Sequence, residues 1–140
     1  MTENYKIIGN FIKDMSSETP DSPTYIYVRD KISKYKLNID INSKAVKKGI
    51  IEVNTIIRFS DQPEILKKAH FEITYTSIVK VDEKVSDKKE MEKIILCDVP
   101  NKIYPDLERI FLNLLTDSGY PGIKFEKKIN FTELYKQRAN

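Results

Sequence analysis

The chain has 140 residues, 40% of them apolar and 32% charged, with a formal net charge of +3. That length predicts a single domain over residues 1–140, large enough to bury a core without staples, and that composition excludes a disordered chain. One cysteine, Cys97, and one histidine, His70, exclude an intramolecular disulfide, a cysteine-rich metal site and a multi-histidine metal centre.

No apolar run approaches the ~18 residues that a membrane helix needs. The start, Met1-Thr2-Glu3-Asn4-Tyr5-Lys6, lacks the basic and then apolar pattern of a signal peptide. The expected compartment is therefore the cytoplasm, with no membrane insertion.

The first two-thirds of the chain read as strands. Tyr5, Ile7, Gly9 and Phe11 share one parity. Tyr35-Lys36-Leu37-Asn38-Ile39-Asp40-Ile41 alternates apolar and polar residues without a fault. Ile51, Val53, Thr55, Ile57 and Phe59 share a face of the third run, and Phe71, Ile73, Tyr75, Ser77, Val79 and Val81 share a face of the fourth. Turn-like stretches separate them at Thr19–Pro23, Asn42–Ala45 and Ser60–Pro63. Links this short favour an antiparallel meander. The second sheet face mixes Ile8, Ile12, Ile50 and Ile56 with polar residues, so part of it is expected to be covered, by another subunit.

The last third reads as helices. Asp87 is placed to cap a helix running to about Cys97, with Glu90 three residues on. A second helix is expected from about Pro105 to Gly119, followed by Pro121. Leu107, Ile110, Phe111 and Leu114 form its stripe, and Leu112 and Leu115 widen it beyond one face, which predicts burial on two sides. Gly119–Lys128 reads as a loop. Asn130-Phe131-Thr132-Glu133 reads as an asparagine cap opening a short C-terminal helix with Leu134 and Tyr135.

No catalytic pattern emerges from the residues. The four glycines (Gly9, Gly49, Gly119, Gly122) lack a phosphate-binding spacing. His70 falls on the polar side of a strand and reads as a surface residue, and Cys97 reads as a buried, inert thiol. The lysines cluster near turns and helix surfaces without the interleaved aromatics of a nucleic-acid platform. On residues alone this is an α+β domain that oligomerises. Two alternatives stay open: a small-ligand or enzymatic domain with a cleft between sheet and C-terminal helix, and a basic nucleic-acid binder.

Four segments, in order, resemble the SecB family of export chaperones. Phe11-Ile12-Lys13-Asp14-Met15-Ser16-Ser17-Glu18-Thr19-Pro20-Asp21-Ser22-Pro23 is similar to that family's first-strand signature. Val99-Pro100-Asn101-Lys102-Ile103-Tyr104-Pro105, with Arg109 beyond it, resembles the start of its long helix. Ser118-Gly119-Tyr120-Pro121 and Ile129-Asn130-Phe131-Thr132-Glu133-Leu134-Tyr135 match its later turn and C-terminal segment.

The resemblance implies a long four-stranded antiparallel sheet with C-terminal helices packed on it, assembled as a dimer of dimers. It implies a holdase with no enzymatic activity and no cofactor, which binds unfolded preproteins in apolar grooves and passes them to the SecA motor. It implies no nucleic-acid partner. Carried over by motif, Phe131, Leu134 and Tyr135 would line the client groove, with Tyr25 and Ile26. Asp14, Glu18 and Glu72 would meet SecA, and Leu107, Ile110, Phe111 and Leu114 would hold the tetramer together. The chain departs from the family in its basic charge, in Thr76-Ser77 where a glycine pair is usual, in the charged stretch Asp82–Glu90, and in ending at Arg138-Ala139-Asn140 without an acidic tail. A relative's duty, binding an antitoxin of a toxin–antitoxin system, is the alternative the resemblance leaves open.

Overall fold

The computed structural model describes residues 4–60, 68–125 and 129–139, with residues 138 and 139 described by backbone only. Strand β1 (Tyr5–Glu18) leads into helix α1 (Ser22–Lys31) and a 3-10 turn (Ile32–Lys34). Strands β2 (Lys36–Lys47), β3 (Ile50–Ser60) and β4 (His70–Val81) follow. Helix α2 (Lys88–Lys93) runs through a π turn (Ile94–Asp98) into the long α3 (Val99–Asp117), and α4 (Phe131–Ala139) comes last. This is the expected α+β arrangement, a four-stranded antiparallel sheet with helices.

The strand order is β1-β4-β3-β2, not a simple meander. Strands β2, β3 and β4 are consecutive neighbours, but β1 pairs with β4, so the chain between β1 and β2 crosses from one edge of the sheet to the other. That crossing contains α1, whose first residues, Ser22 and Pro23, fall in the stretch expected to be a turn. The Asp21 carboxylate accepts from the Thr24 N–H at 2.8 Å, and Pro23 sits in the first turn, where an N–H would have no partner. The expected turn at Asn42–Ala45 is strand as well. The chain reverses at Lys48-Gly49, where Gly49 supplies a φ of +76°. Of the turn expected at Ser60–Pro63, Asp61, Gln62 and Pro63 lie outside the described residues, as do Glu126, Lys127 and Lys128 of the expected loop.

The long helix starts earlier than expected. Asp87 does cap α2, accepting from the Lys89 N–H at 3.0 Å, but Glu90 reaches Asn4 and not the cap. Helix α3 begins at Val99, and Pro105 lies inside it. In a regular helix the ring of Pro100 would strike the carbonyl of Leu96. The π turn immediately before it widens the winding there, so the chain continues as helix and does not break.

Two bulges in β1, between Ile7 and Gly9 and between Ile12 and Asp14, each shift the strand by one residue. Tyr5, Ile7, Ile12, Met15 and Ser17 therefore face the helices, opposite Val81, Val79, Tyr75, Ile73 and Phe71. Phe11, Asp14, Ser16 and Glu18 face outward. The expected single face of Tyr5, Ile7, Gly9 and Phe11 is broken at the first bulge.

The larger core cluster joins Phe59, Phe71, Ile57 and Ile73 of the sheet to Ile103, Leu107, Phe111 and Leu115 of α3 and to Tyr120 and Phe131. A second gathers Tyr5, Val53, Val79, Val81, Ile94 and Val99. Between them the hydroxyls of Thr55 and Ser77 are buried without a hydrogen-bond partner among the described residues. On the outer face a polar ladder crosses all four strands. Lys13 donates to Glu52 at 2.8 Å, Asn54 to Glu52 at 2.9 Å and to Asn42 at 2.8 Å, and Thr76 to Asn54 at 2.6 Å.

Candidate functional site

Strand β2 is an edge of the sheet, and its core-side residues Leu37, Ile39 and Ile41 are only half-buried. Beside it lies a hollow of ≈ 940 Å³, walled by Leu37, Ile39 and Phe59 on the sheet side and by Ile123, Phe125 and Leu134 opposite. A smaller hollow of ≈ 370 Å³ continues it past Ile39 and Leu134, which line both, to Ile41, Leu96 and Tyr135. From Leu37 to Ile41 the apolar wall runs ~13 Å, at ~3.3 Å per strand residue.

The groove stays open because its walls are held from behind. Phe59 lies 5.4 Å from Tyr35, 6.1 Å from Phe111 and 5.7 Å from Phe125, so one ring links sheet, long helix and far wall. Asn130 caps α4, accepting from the Glu133 N–H at 3.1 Å. The Ile41 N–H donates to the Asp40 carboxylate at 3.0 Å. That places the amides of the odd-numbered, groove-facing residues of β2 on the free edge, since N–H groups alternate in direction along an antiparallel strand.

The expected groove residues divide. Leu134 (48% exposed) and half-buried Tyr135 line the groove. Phe131 is only 1% exposed. It forms the floor of the smaller hollow, edge-on to Tyr104 at 5.4 Å, and offers almost no surface. Burial also raises the Tyr104 phenol well above its ordinary range, with the charge of Glu108 adding to it. Tyr25 and Ile26 line neither hollow. Tyr25 stacks on Tyr120 at 5.3 Å and donates its hydroxyl to the Gly119 carbonyl at 2.9 Å, so it docks α1 onto the end of α3. Ile26 is exposed on that helix. Leu37, Ile39, Ile41, Ile123 and Phe125 were missed as groove residues. The alternation of the β2 run put its three on one face, which looked like core.

Asp14, Glu18 and Glu72 do share the outer face, since Asp14 lies opposite Thr74, Ser16 opposite Glu72 and Glu18 opposite His70. The Glu72 carboxylate is already engaged, accepting from Arg58 Nε at 2.8 Å with His70 Nε2 at 3.6 Å. His70 is a surface residue at 43% side-chain exposure, and Cys97 is buried beside Thr132 and Asn101.

Of the four expected interface residues, Leu107 and Phe111 are fully buried in the chain's own core and have no surface to give another copy. Ile110 and Leu114 are half-buried. Helix α3 runs beside β1, with Lys102 Nζ 4.7 Å from the Tyr5 ring centre at one end and the Ser17 and Ser118 hydroxyls 2.6 Å apart at the other. Between these anchors β1 carries exposed Ile12 and Met15. Among the described residues no cluster of His, Cys, Asp and Glu could hold a metal ion, and no helix is long and apolar enough to cross a membrane.

The family model described as preprotein translocase subunit SecB matches residues 1–140. A protein of Pelagibacter ubique (strain HTCC1062), provisionally named protein-export protein SecB, is 96% identical over 140 residues, with both chains covered in full. The protein-export protein SecB of Methylocella silvestris is 23% identical, covering 93% of this chain and 79% of that one. That of Rhodospirillum rubrum is 25% identical, covering 95% and 81%. Among solved structures, a SecB-like chaperone of Mycobacterium tuberculosis in complex with a ChAD peptide from the HigA1 antitoxin shares the fold, with a TM-score of 0.67 at 10% identity over 91% of this chain and 92% of that one.

Proposed function

The chain belongs to the SecB family, and we propose that it is a cytoplasmic holdase that keeps unfolded preproteins from aggregating by binding them along the β2 edge. The observation that carries this reading is the continuous apolar groove from Leu37 to Ile41, with Leu134 and Tyr135 opposite. An unfolded chain offers apolar side chains and unpaired backbone together. A long open groove takes many sequences weakly, and several grooves in one assembly replace specificity by avidity.

The assembly proposed is a homotetramer whose contacts include Ile110 and Leu114 of α3 and Ile12 and Met15 of β1. No catalysis and no cofactor enter this reading. Delivery to SecA would use Asp14 and Glu18, exposed on the outer face, with Glu72 between them tied to Arg58. The second reading, a chaperone dedicated to an antitoxin, draws on the fold shared with the Mycobacterium tuberculosis protein bound to an antitoxin peptide.

The test is light scattering of a chemically unfolded client diluted with and without the protein, alongside the protein's mass in solution. A tetramer that suppresses scattering near stoichiometry supports the holdase. A monomer without effect refutes it. Binding of a SecA tail peptide that is lost on Asp14→Lys and Glu18→Lys supports export duty, and absence of binding to SecA directs the search to a dedicated client.

A further inference from the structure

We infer that the groove selects extended apolar segments whose flanks carry acidic residues. The inference rests on the holding role proposed above and adds a chemical class of client to it. The described residues lining the larger hollow include Lys36 and Lys124 and no carboxylate. Both lysines are exposed, and neither is paired with a carboxylate among the described residues. Lys31 and Lys34 are exposed on the segment that enters the groove wall at Ile32 and Ser33.

Among the described residues lining the two hollows Asp40 is the lone anion, and its carboxylate accepts from the Ile41 N–H. An apolar segment lying in this groove thus places the residues at its Lys36–Lys124 end among ammonium groups. A basic flank meets like charge, while an acidic one gains ion pairs that the apolar wall brings within a few ångströms. Charge at the rim then sorts clients that the apolar floor would accept alike.

The experiment uses the full chain and three dye-labelled peptides with one apolar core and flanks of aspartate, lysine or serine, followed by fluorescence anisotropy. The aspartate-flanked peptide should bind about five- to tenfold more tightly than the lysine-flanked one at low salt, the size that two exposed ion pairs supply. The ratio should shrink towards one at ~0.5 M salt, where screening acts within a few ångströms.

In a Lys36→Glu, Lys124→Glu double variant the ratio should invert. Being a ratio within one protein, it is insensitive to any general change in groove affinity, and circular dichroism checks the fold. Equal affinities for the charged peptides, or a ratio that the double variant leaves in place, overturn the inference while serine-flanked binding preserves the holding role. Failure of all three peptides to bind overturns both.

Discussion

Phe131 and Leu134 lie three residues apart at the start of α4, and their truncation separates the support of the groove from its surface. Phe131 is 1% exposed and packs edge-on to Tyr104. Phe131→Ala leaves a cavity under α4 and should cost about 3–5 kcal/mol of stability. That is a large part of the ~5–15 kcal/mol typical of a domain.

Leu134 keeps 48% of its surface in solvent. Burying a leucine fully is worth about 1.5–3 kcal/mol, so a client that covers the remaining half gains about 1 kcal/mol, or roughly fivefold in Kd. Leu134→Ala should therefore shift the urea midpoint little and weaken an apolar peptide about fivefold. Phe131→Ala should lower the midpoint strongly. Urea unfolding followed by circular dichroism and peptide anisotropy read the two effects separately. The reasoning is refuted if Phe131→Ala keeps its midpoint but loses the peptide, or if Leu134→Ala unfolds as early as Phe131→Ala.

Three further outcomes follow from the geometry. The hydrogen bond from Lys13, and next that from Asn54, hold the Glu52 carboxyl below its ordinary value of 4.5. A depressed folded pKa stabilises above the unfolded value and is lost as pH falls through the folded one. The stability gap between the parent and Lys13→Met, under ~1 kcal/mol at neutral pH for a pair this open to solvent, should close below pH 4.5 in urea titrations. A gap that persists in acid would assign it to packing. Gly119 has a φ of +103°, and a Cβ there would sit 2.8 Å from Tyr25 Cε1. Gly119→Ala should cost about 1–3 kcal/mol and loosen α1, read as lost amide protection at Val28; unchanged exchange would contradict the docking role of Tyr25. The Thr55 hydroxyl is buried without a hydrogen-bond partner among the described residues. Thr55→Val should be neutral or stabilising by up to about 1 kcal/mol in thermal unfolding, and a clear loss would mean the hydroxyl is satisfied.

The fold was legible where one physical signal dominated. The alternation of residues 35–41, 51–59 and 71–81 located three strands, and Asp87 and Asn130 cap helices as their positions imply. It was hidden where two signals competed. Pro20 and Pro23 with Asp21 and Ser22 suit a turn and equally suit a helix start, and only the docking of Val28 and Tyr25 against the rest of the chain selects the helix. Strand order carried no local signal, because the pairing of β1 with β4 is decided by long-range burial. A bulge is invisible to a period-2 reading, which is why Phe11 was assigned to the wrong face.

For the site the limit was different. The motif that opens α4 names Phe131, Leu134 and Tyr135 together, yet spacing on a helix does not say which side chain the sheet will cover. Phe131 and Leu134, three apart, share one flank of the helix. The long helix takes Phe131, through Tyr104, and Leu134 is left at the groove mouth. The same ambiguity ran the other way in β2, where Leu37, Ile39 and Ile41 satisfy the pattern of a core face. They become groove residues because β2 is the last strand of the sheet and, among the described residues, no fifth strand or helix completes their cover. Apolar patterning thus identifies surface that must leave water, and topology decides whether the chain itself or a client supplies the other half of the contact.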